Sequence, residues 1–219
     1  MGQLQLQLHN EQQGMTVHGK DFLASLAANE TIIVQTITPT VSDTQTLHAP
    51  IIITGSNNAS DPRQALVIDV SNLPSGTILQ LNNVAFASII GSVRAVGGAG
   101  ENFAVGDDEN QFMVLGADDD VLFGGGGDDT VGSLGGDDQT SGDDGDDIVY
   151  GGTGNDQING GLGFDRATQA GQLADYQVAV QGNGITLTNS NGEEVDTLTD
   201  VELIRFATGP QSSDCPFRY

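Results

Sequence analysis

Cysteine is almost missing: Cys215 stands alone in 219 residues, which excludes an intramolecular disulfide framework and a cysteine-based zinc site. Tryptophan is absent, and six Lys and Arg face thirty Asp and Glu, a formal charge of -24. That balance argues against nucleic acid and anionic membranes as partners and toward cations, a divalent metal foremost. No apolar run approaches the roughly 18 residues of a membrane span. The opening MGQLQLQLHNEQQ lacks the basic start and apolar stretch of a cleaved signal peptide. The composition is that of a soluble chain, and its scarcity of cysteine fits an exported one. Catalytic constellations are missing too. His9, His18 and His48 form no HExxH or HxxxH spacing and read as surface or turn residues; GSVRA and GSLGG lack the G-x-S-x-G elbow. No paired carboxylates suited to cleaving a polysaccharide stand outside the acidic tract described next. No enzyme is expected.

The acids are concentrated. Residues 97–168 hold 17 of the 30 acids, 20 of the 31 glycines and one base, Arg166, whereas residues 1–96 carry six acids and three bases. On composition alone this tract reads as a solvated linker too polar to order itself. Its register says otherwise. Cut every nine residues from Gly97 it runs GGAGENFAV, GDDENQFMV, LGADDDVLF, GGGGDDTVG, SLGGDDQTS, GDDGDDIVY, GGTGNDQIN, GGLGFDRAT, without insertion or deletion. The sixth place is Asn102, Gln111, Asp120, Asp129, Asp138, Asp147, Asp156 and Asp165. The eighth is Ala104, Met113, Leu122, Val131, Thr140, Val149, Ile158 and Ala167. A linker has no reason to keep this register, and neither an EF-hand loop nor a Rossmann turn fits it.

The units follow the nonapeptide G-G-x-G-x-D-x-U-x, and the tract resembles the RTX (repeats-in-toxin) calcium-binding family. The resemblance implies an all-β fold, a right-handed parallel β-roll. Each unit divides into a six-residue turn and a three-residue strand, whose middle side chain at place eight points inward. Two units complete a coil, so residues 18 apart stack at a parallel-strand spacing of about 4.8 Å. A hard cation between stacked turns takes oxygens from both place-six carboxylates and from turn carbonyls. That suits the roughly six to eight flexible oxygen ligands of calcium better than the tight octahedron of magnesium. Asp120/Asp138, Asp138/Asp156, Asp129/Asp147 and Asp147/Asp165 make four full sites; Asn102/Asp120 and Gln111/Asp129, each with an amide, make two weaker ones. By resemblance, carbonyls at places two and four also ligate, which transfers to Gly125, Gly127, Gly136, Gly145, Gly152, Gly154, Gly161 and Gly163. Leu115, Ser133, Leu134 and Asp143 stand where the family has glycine, so turn geometry is expected to depart there. Asp128, Asp137, Asp144 and Asp146 are expected to be solvated.

Downstream, YQVAV and ITLT joined by QGNG read as a hairpin. VDTLTDVELIRF follows, with Leu198, Val201, Ile204 and Phe206 placed to cover the last coil. This stretch resembles the cap that follows RTX repeats, on Asp175, Tyr176, Asp196, Leu198, Val201, Glu202 and Phe206. Upstream, TIIVQTI, PIIITGS and ALVIDV read as short strands, KDFLASLAANE as a short helix, and QLQLQLH as an alternating strand. The expected organisation is a β-rich region over 1–64 that includes a candidate assembly strand, lead-in coils without calcium over 65–96, the repeat roll over 97–168, and a cap with a candidate secretion signal over 169–219.

The functional expectation is a secreted, extracellular or cell-surface calcium-binding protein, structural or adhesive. It would fold on calcium and self-associate as a homo-oligomer or polymer into a surface layer, filament or biofilm matrix, with a cell-surface polysaccharide as candidate partner. The resemblance implies type I secretion of an unfolded chain, without a cleaved N-terminal signal. The rival is a calcium-triggered folding and secretion module of, or partner to, a larger enzyme or toxin.

Overall fold

The computed structural model describes residues 13–27, 30–40, 49–58 and 60–207. The alternating strand expected at residues 3–9, together with His9, His48 and Cys215, lies outside the described residues. Helix α1 (Gln13–Ser25) comes first. Strands β1 (Ile32–Ile37), β2 (Ile51–Thr54), β3 (Arg63–Asp69), β4 (Ile78–Asn82), β5 (Phe86–Ile90) and β6 (Arg94–Gly97) precede the repeats. The repeats form β7 (Phe103–Val105), β8 (Phe112–Val114), β9 (Val121–Gly126), β10 (Thr130–Gly132), β11 (Gln139–Asp144), β12 (Ile148–Tyr150), β13 (Gln157–Leu162) and β14 (Arg166–Gln169). Last come β15 (Tyr176–Gln181), β16 (Gly184–Asn189), β17 (Val195–Thr199) and β18 (Leu203–Phe206).

Successive strands alternate between two sheets, which is how a two-strand coil winds. One sheet runs β1-β3-β5-β7-β9-β11-β13-β17-β16-β15 and the other β18-β14-β12-β10-β8-β6-β4-β2. Every pairing is parallel except those of the hairpin, β15 with β16 and β16 with β17. The fold is therefore an all-β parallel roll. Within the repeats the register is the 18-residue stack: Leu122 pairs with Thr140 and Thr140 with Ile158, while Met113 pairs with Val131 and Val131 with Val149.

Place eight forms the core. Ala104, Met113, Leu122, Val131, Val149, Ile158 and Ala167 are buried in one apolar column that continues upward through Ala87, Leu66, Ala95 and Leu79. Below, Leu198 pairs with Ile158 and Ile204 with Ala167, so the cap adds one more coil to the same column. Leu198 is fully buried, Val201, Ile204 and Phe206 pack against the column, and the Tyr176 ring lies 5.5 Å from that of Phe206. The column supplies apolar contacts that the polar turns lack.

Two features depart from the expected layout. The parallel stack already begins at Ile32, which pairs with Arg63, upstream of the coils expected from residue 65. The helix expected over KDFLASLAANE starts earlier and stops at Ser25, whose Oγ donates to the Phe22 carbonyl. Tertiary packing sets its place. Phe22 is buried against Phe86 and Phe103, with ring centroids 4.9 and 5.6 Å away, and the His18 ring stacks on Phe123 at 3.5 Å. His18 Nε2 also meets Asp143 Oδ2 at 3.1 Å, so this histidine is held against the repeats rather than standing free at the surface. Among the described residues no helix is long and apolar enough to cross a membrane.

Candidate metal centre

The six place-six aspartates are all buried, none more than 2% exposed. Each accepts a hydrogen bond at Oδ1 from the backbone N–H of the place-six residue one coil earlier. Asp120, Asp129, Asp138 and Asp147 donate in this way to Asp138, Asp147, Asp156 and Asp165, at 2.7, 2.7, 3.0 and 2.9 Å. Asn102 and Gln111 donate to Asp120 and Asp129 at 2.7 and 2.6 Å. The 18-residue register brings the four expected pairs together on two edges of the roll.

The second carboxylate oxygen is the informative one. Oδ2 of Asp129, Asp138, Asp147, Asp156 and Asp165 is buried with no hydrogen-bond partner. A buried carboxylate oxygen without a donor is costly, and a cation satisfies it. Along one edge these oxygens face backbone carbonyls. A Cβ built on Gly124 would run into both Asp129 Oδ2 and the carbonyl of Gly142 in the next coil, and one on Gly142 into Asp147 Oδ2 and the carbonyl of Gly160. Each gap thus brings an upstream carboxylate oxygen against a downstream carbonyl, with the next coil's carboxylate held below it by the place-six N–H. Among the described residues no three His, Cys, Asp or Glu side chains converge as a metal cluster, so carbonyls complete any donor set. An all-oxygen set of carboxylates and carbonyls with adaptable geometry fits calcium and excludes the nitrogen and sulfur preferences of zinc or copper.

All eight glycines named for places two and four hold positive φ, from 95° at Gly127 to 151° at Gly145. Gly161 shows why: at φ 111° an added Cβ would strike the carbonyl of Asp143 in the coil above. At place four the carbonyls of Gly127, Gly145 and Gly136 face Gly145, Gly163 and Gly154 one coil on; at place two, Gly125 and Gly152 sit beneath the carbonyls of Asp107 and Leu134. The departures from glycine are absorbed locally. Asp143 takes φ 74°, Ser133 is buried with Oγ donating to the Gly116 carbonyl at 2.9 Å, and Leu115 turns into the core.

Burial drives the place-six carboxyls upward. It lifts Asp120, Asp147 and Asp156 to about 6, Asp138 to about 7 and Asp129 to about 8, opposed by the backbone N–H bonds. Neighbouring carboxylates add to the rise, Asp156 at Asp138 and Asp147 at Asp129. The native state therefore binds more protons than the unfolded chain between the ordinary aspartate value of 3.8 and about 8, and metal-free stability falls as pH rises through that window. In chelator, a thermal transition followed by circular dichroism is expected at pH 5 and is expected to weaken or vanish by pH 8. A transition that strengthens with pH would refute this. With calcium in place of protons the order should reverse.

Sequence reasoning missed two sets of residues. The outer acids are exposed yet not merely solvated: Oδ1 of Asp119, Asp128, Asp137 and Asp146 accepts the backbone N–H of Asp137, Asp146, Asn155 and Phe164, all within 2.9–3.1 Å. Their 18-residue spacing was visible, but they sit at a place the family pattern leaves open. The second set lies in the cap. Asp156 N–H donates to Asp196 Oδ1 at 3.3 Å and Asp165 N–H to Glu202 Oε2 at 2.7 Å. Asp156 and Asp165, the expected ends of the ladder, thus each have a carboxylate below. Asp196 is itself buried, and burial lifts it to about 7.

Against known proteins, the RTX calcium-binding nonapeptide repeat family matches residues 96–131, 105–140 and 132–167. No curated protein matches the chain. Among solved structures, the extracellular lipase LipA from Serratia marcescens aligns with 72% of this chain at 22% identity and a TM-score of 0.38. The chain spans about a fifth of that lipase, 21% of its length.

Proposed function

Since residues 96–167 consist of RTX calcium-binding nonapeptide repeats, we propose that this chain is a secreted, calcium-dependent structural or adhesive protein whose roll folds around calcium and then self-associates. The observation that carries the calcium half is the row of five buried Oδ2 atoms without a donor. Four full sites lie at Asp120/Asp138, Asp138/Asp156, Asp129/Asp147 and Asp147/Asp165, with turn carbonyls as further ligands. The two amide rungs are weaker. Asn102 is already engaged, its Oδ1 accepting from Val84 N–H, whereas Gln111 Oε1 is buried without a partner and its rung lacks only the charge. Asp120 Oδ2 accepts from Gly116 N–H at 3.0 Å, a bond that calcium in the Asp120/Asp138 site has to displace. Extracellular calcium modules work at about 10⁻⁴–10⁻³ M, so the chain stays unfolded where calcium is scarce and folds after export. No catalysis is assigned to it.

Association is supported by the end of the stack, where among the described residues no strand pairs beyond β1 and β2. Val34 and Ile52 on these edge strands are 71% and 57% exposed. An unprotected edge accepts a further strand, and residues 3–9 are the strand proposed to supply it from a neighbouring molecule. Sedimentation velocity of the intact chain, and of one lacking residues 1–10, with calcium and with chelator, tests both halves. Calcium-dependent polymers from the intact chain alone are expected. An intact chain that stays monomeric in calcium at high concentration overturns the association, and a truncated chain that still polymerises rejects this strand as the connector.

A further inference from the structure

The repeat pattern ends at residue 168, but the arrangement that defines a gap between coils does not. Down one edge of the roll the same three groups recur. Asp129 Oδ2 and the Gly142 carbonyl meet beside Gly124, with the Asp147 carboxylate one coil below held by Asp129 N–H; Asp147 Oδ2 and the Gly160 carbonyl meet beside Gly142, with the Asp165 carboxylate below held by Asp147 N–H. One coil further, a Cβ on Gly160 would run into Asp165 Oδ2 and the carbonyl of Asp200, and the carboxylate below is Glu202, which accepts from Asp165 N–H. Asp165 is fully buried and its Oδ2 has no partner. In the coils above, each Oδ2 faces the carbonyl of the coil below it, so the Oδ2 of Asp165 belongs to the gap beneath the Asp147/Asp165 pair, where no nonapeptide aspartate follows.

We propose that the C-terminal cap completes a further calcium site, formed by Asp165 Oδ2, the Asp200 carbonyl and the Glu202 carboxylate. It rests on the reading of the repeats as calcium sites and extends it outside them. The cap is built to present these groups. Leu203 pairs with Arg166, which sets Glu202 level with Asp165, and the N–H groups of Glu202 and Leu203 both donate to the Asp165 carbonyl at 3.1 Å. Asp200 holds φ 49°, a left-handed conformation, and Asn183 of the hairpin turn donates to its Oδ1 at 3.2 Å. The carbonyl of Asp200 thereby stands where a place-one glycine carbonyl stands in the coils above. An ion here ties the cap to the last repeat, so that closure of the roll depends on calcium as its interior does.

Glu202→Gln tests the site, because the amide oxygen still accepts from Asp165 N–H while the charge is lost. Calcium titration calorimetry on the full chain is expected to show one ion fewer than the wild type, and a Glu193→Gln control, in the exposed hairpin, the wild-type count. An unchanged count and affinity in Glu202→Gln overturns the cap site alone, whereas a wild-type chain that binds no calcium overturns the reading of the repeats as well. Crystals of the wild-type chain grown in calcium give a second measure that does not depend on the variant folding. Anomalous density within about 2.3–2.6 Å of Asp165 Oδ2 and the Asp200 carbonyl is expected. Ions between the repeats with none at this position refute the proposal.

Discussion

Excess chelator at neutral pH is expected to abolish the strand signal of residues 97–168 in far-UV circular dichroism and to expand the chain in small-angle scattering, both reversed by calcium. The turns bring buried carboxylates together in stacked pairs, and the inward apolar content is one side chain per nine residues, some of them as small as Ala104 and Ala167. At neutral pH, where charging the buried carboxyls opposes folding, little in such a tract offsets the conformational entropy of ordering it without metal. Calcium at 100 times its dissociation constant stabilises by about 2.7 kcal/mol per site, so four sites contribute about 11 kcal/mol, the size of a whole domain's stability of about 5–15 kcal/mol. The lead-in coils from β3 to β6 carry larger apolar side chains, Leu66, Ile68, Leu79, Leu81 and Ile89 all being buried, and should lose less of their structure. Unchanged dichroism and compactness on adding and removing chelator would refute the coupling.

Asp138→Ala and Asp147→Ala are expected to be the most damaging single changes in the repeats, Asp138 bordering the Asp120 and Asp156 sites on its edge as Asp147 does on the other. Asp147 accepts from Asp129 above, donates to Asp165 below, and keeps a free buried Oδ2, so it borders two full sites. Two sites lost at 100-fold calcium excess remove about 5 kcal/mol, which should move the calcium midpoint of folding well beyond that of the wild type. Asp128→Ala, eliminating one exposed acceptor for Asp146 N–H, should leave the calcium count unchanged. Equal calorimetric losses for Asp128→Ala and Asp147→Ala would contradict the nine-residue register. Asp165, which the repeat pattern alone would rank as a terminal ligand of small effect, should rank higher because Glu202 lies beneath it.

How much of this was legible follows from where the register is regular. From β6 and β7 to β14 the coils repeat at a constant 18 residues, so stacking partners, the inward place eight and the paired aspartates could all be read by counting. Before that the spacing changes at each step: Leu66 pairs with Ala87, but Ala87 with Ala104 and Leu79 with Ala95. No single period exists there, because turns that hold no metal can vary in length as long as the inner column stays filled. The helix was legible as a helix but not in its bounds, since the contacts that fix it, Phe22 with Phe86 and Phe103, join residues far apart in the chain.

The sequence by itself determined the roll through an unbroken nine-residue register whose resemblance to the RTX repeats implies that fold and whose sixth place names the carboxylates. It also determined the β15–β16 hairpin, from two alternating runs and a turn that needs the positive φ of Gly182. Only the tertiary structure decided that five of the six aspartates keep a free oxygen, Oδ2, since Oδ1 is consumed by an N–H of the preceding coil, and that Asp120 has both oxygens engaged. It likewise decided that the ladder passes into the cap. There the inserted hairpin pairs Thr197 with Gln157 and Leu203 with Arg166, at separations no repeat count anticipates, and puts a glutamate where the pattern holds an aspartate. Stacking registers are set by which coil lies beneath, and chain distance stops measuring that once an insertion loops out of the roll.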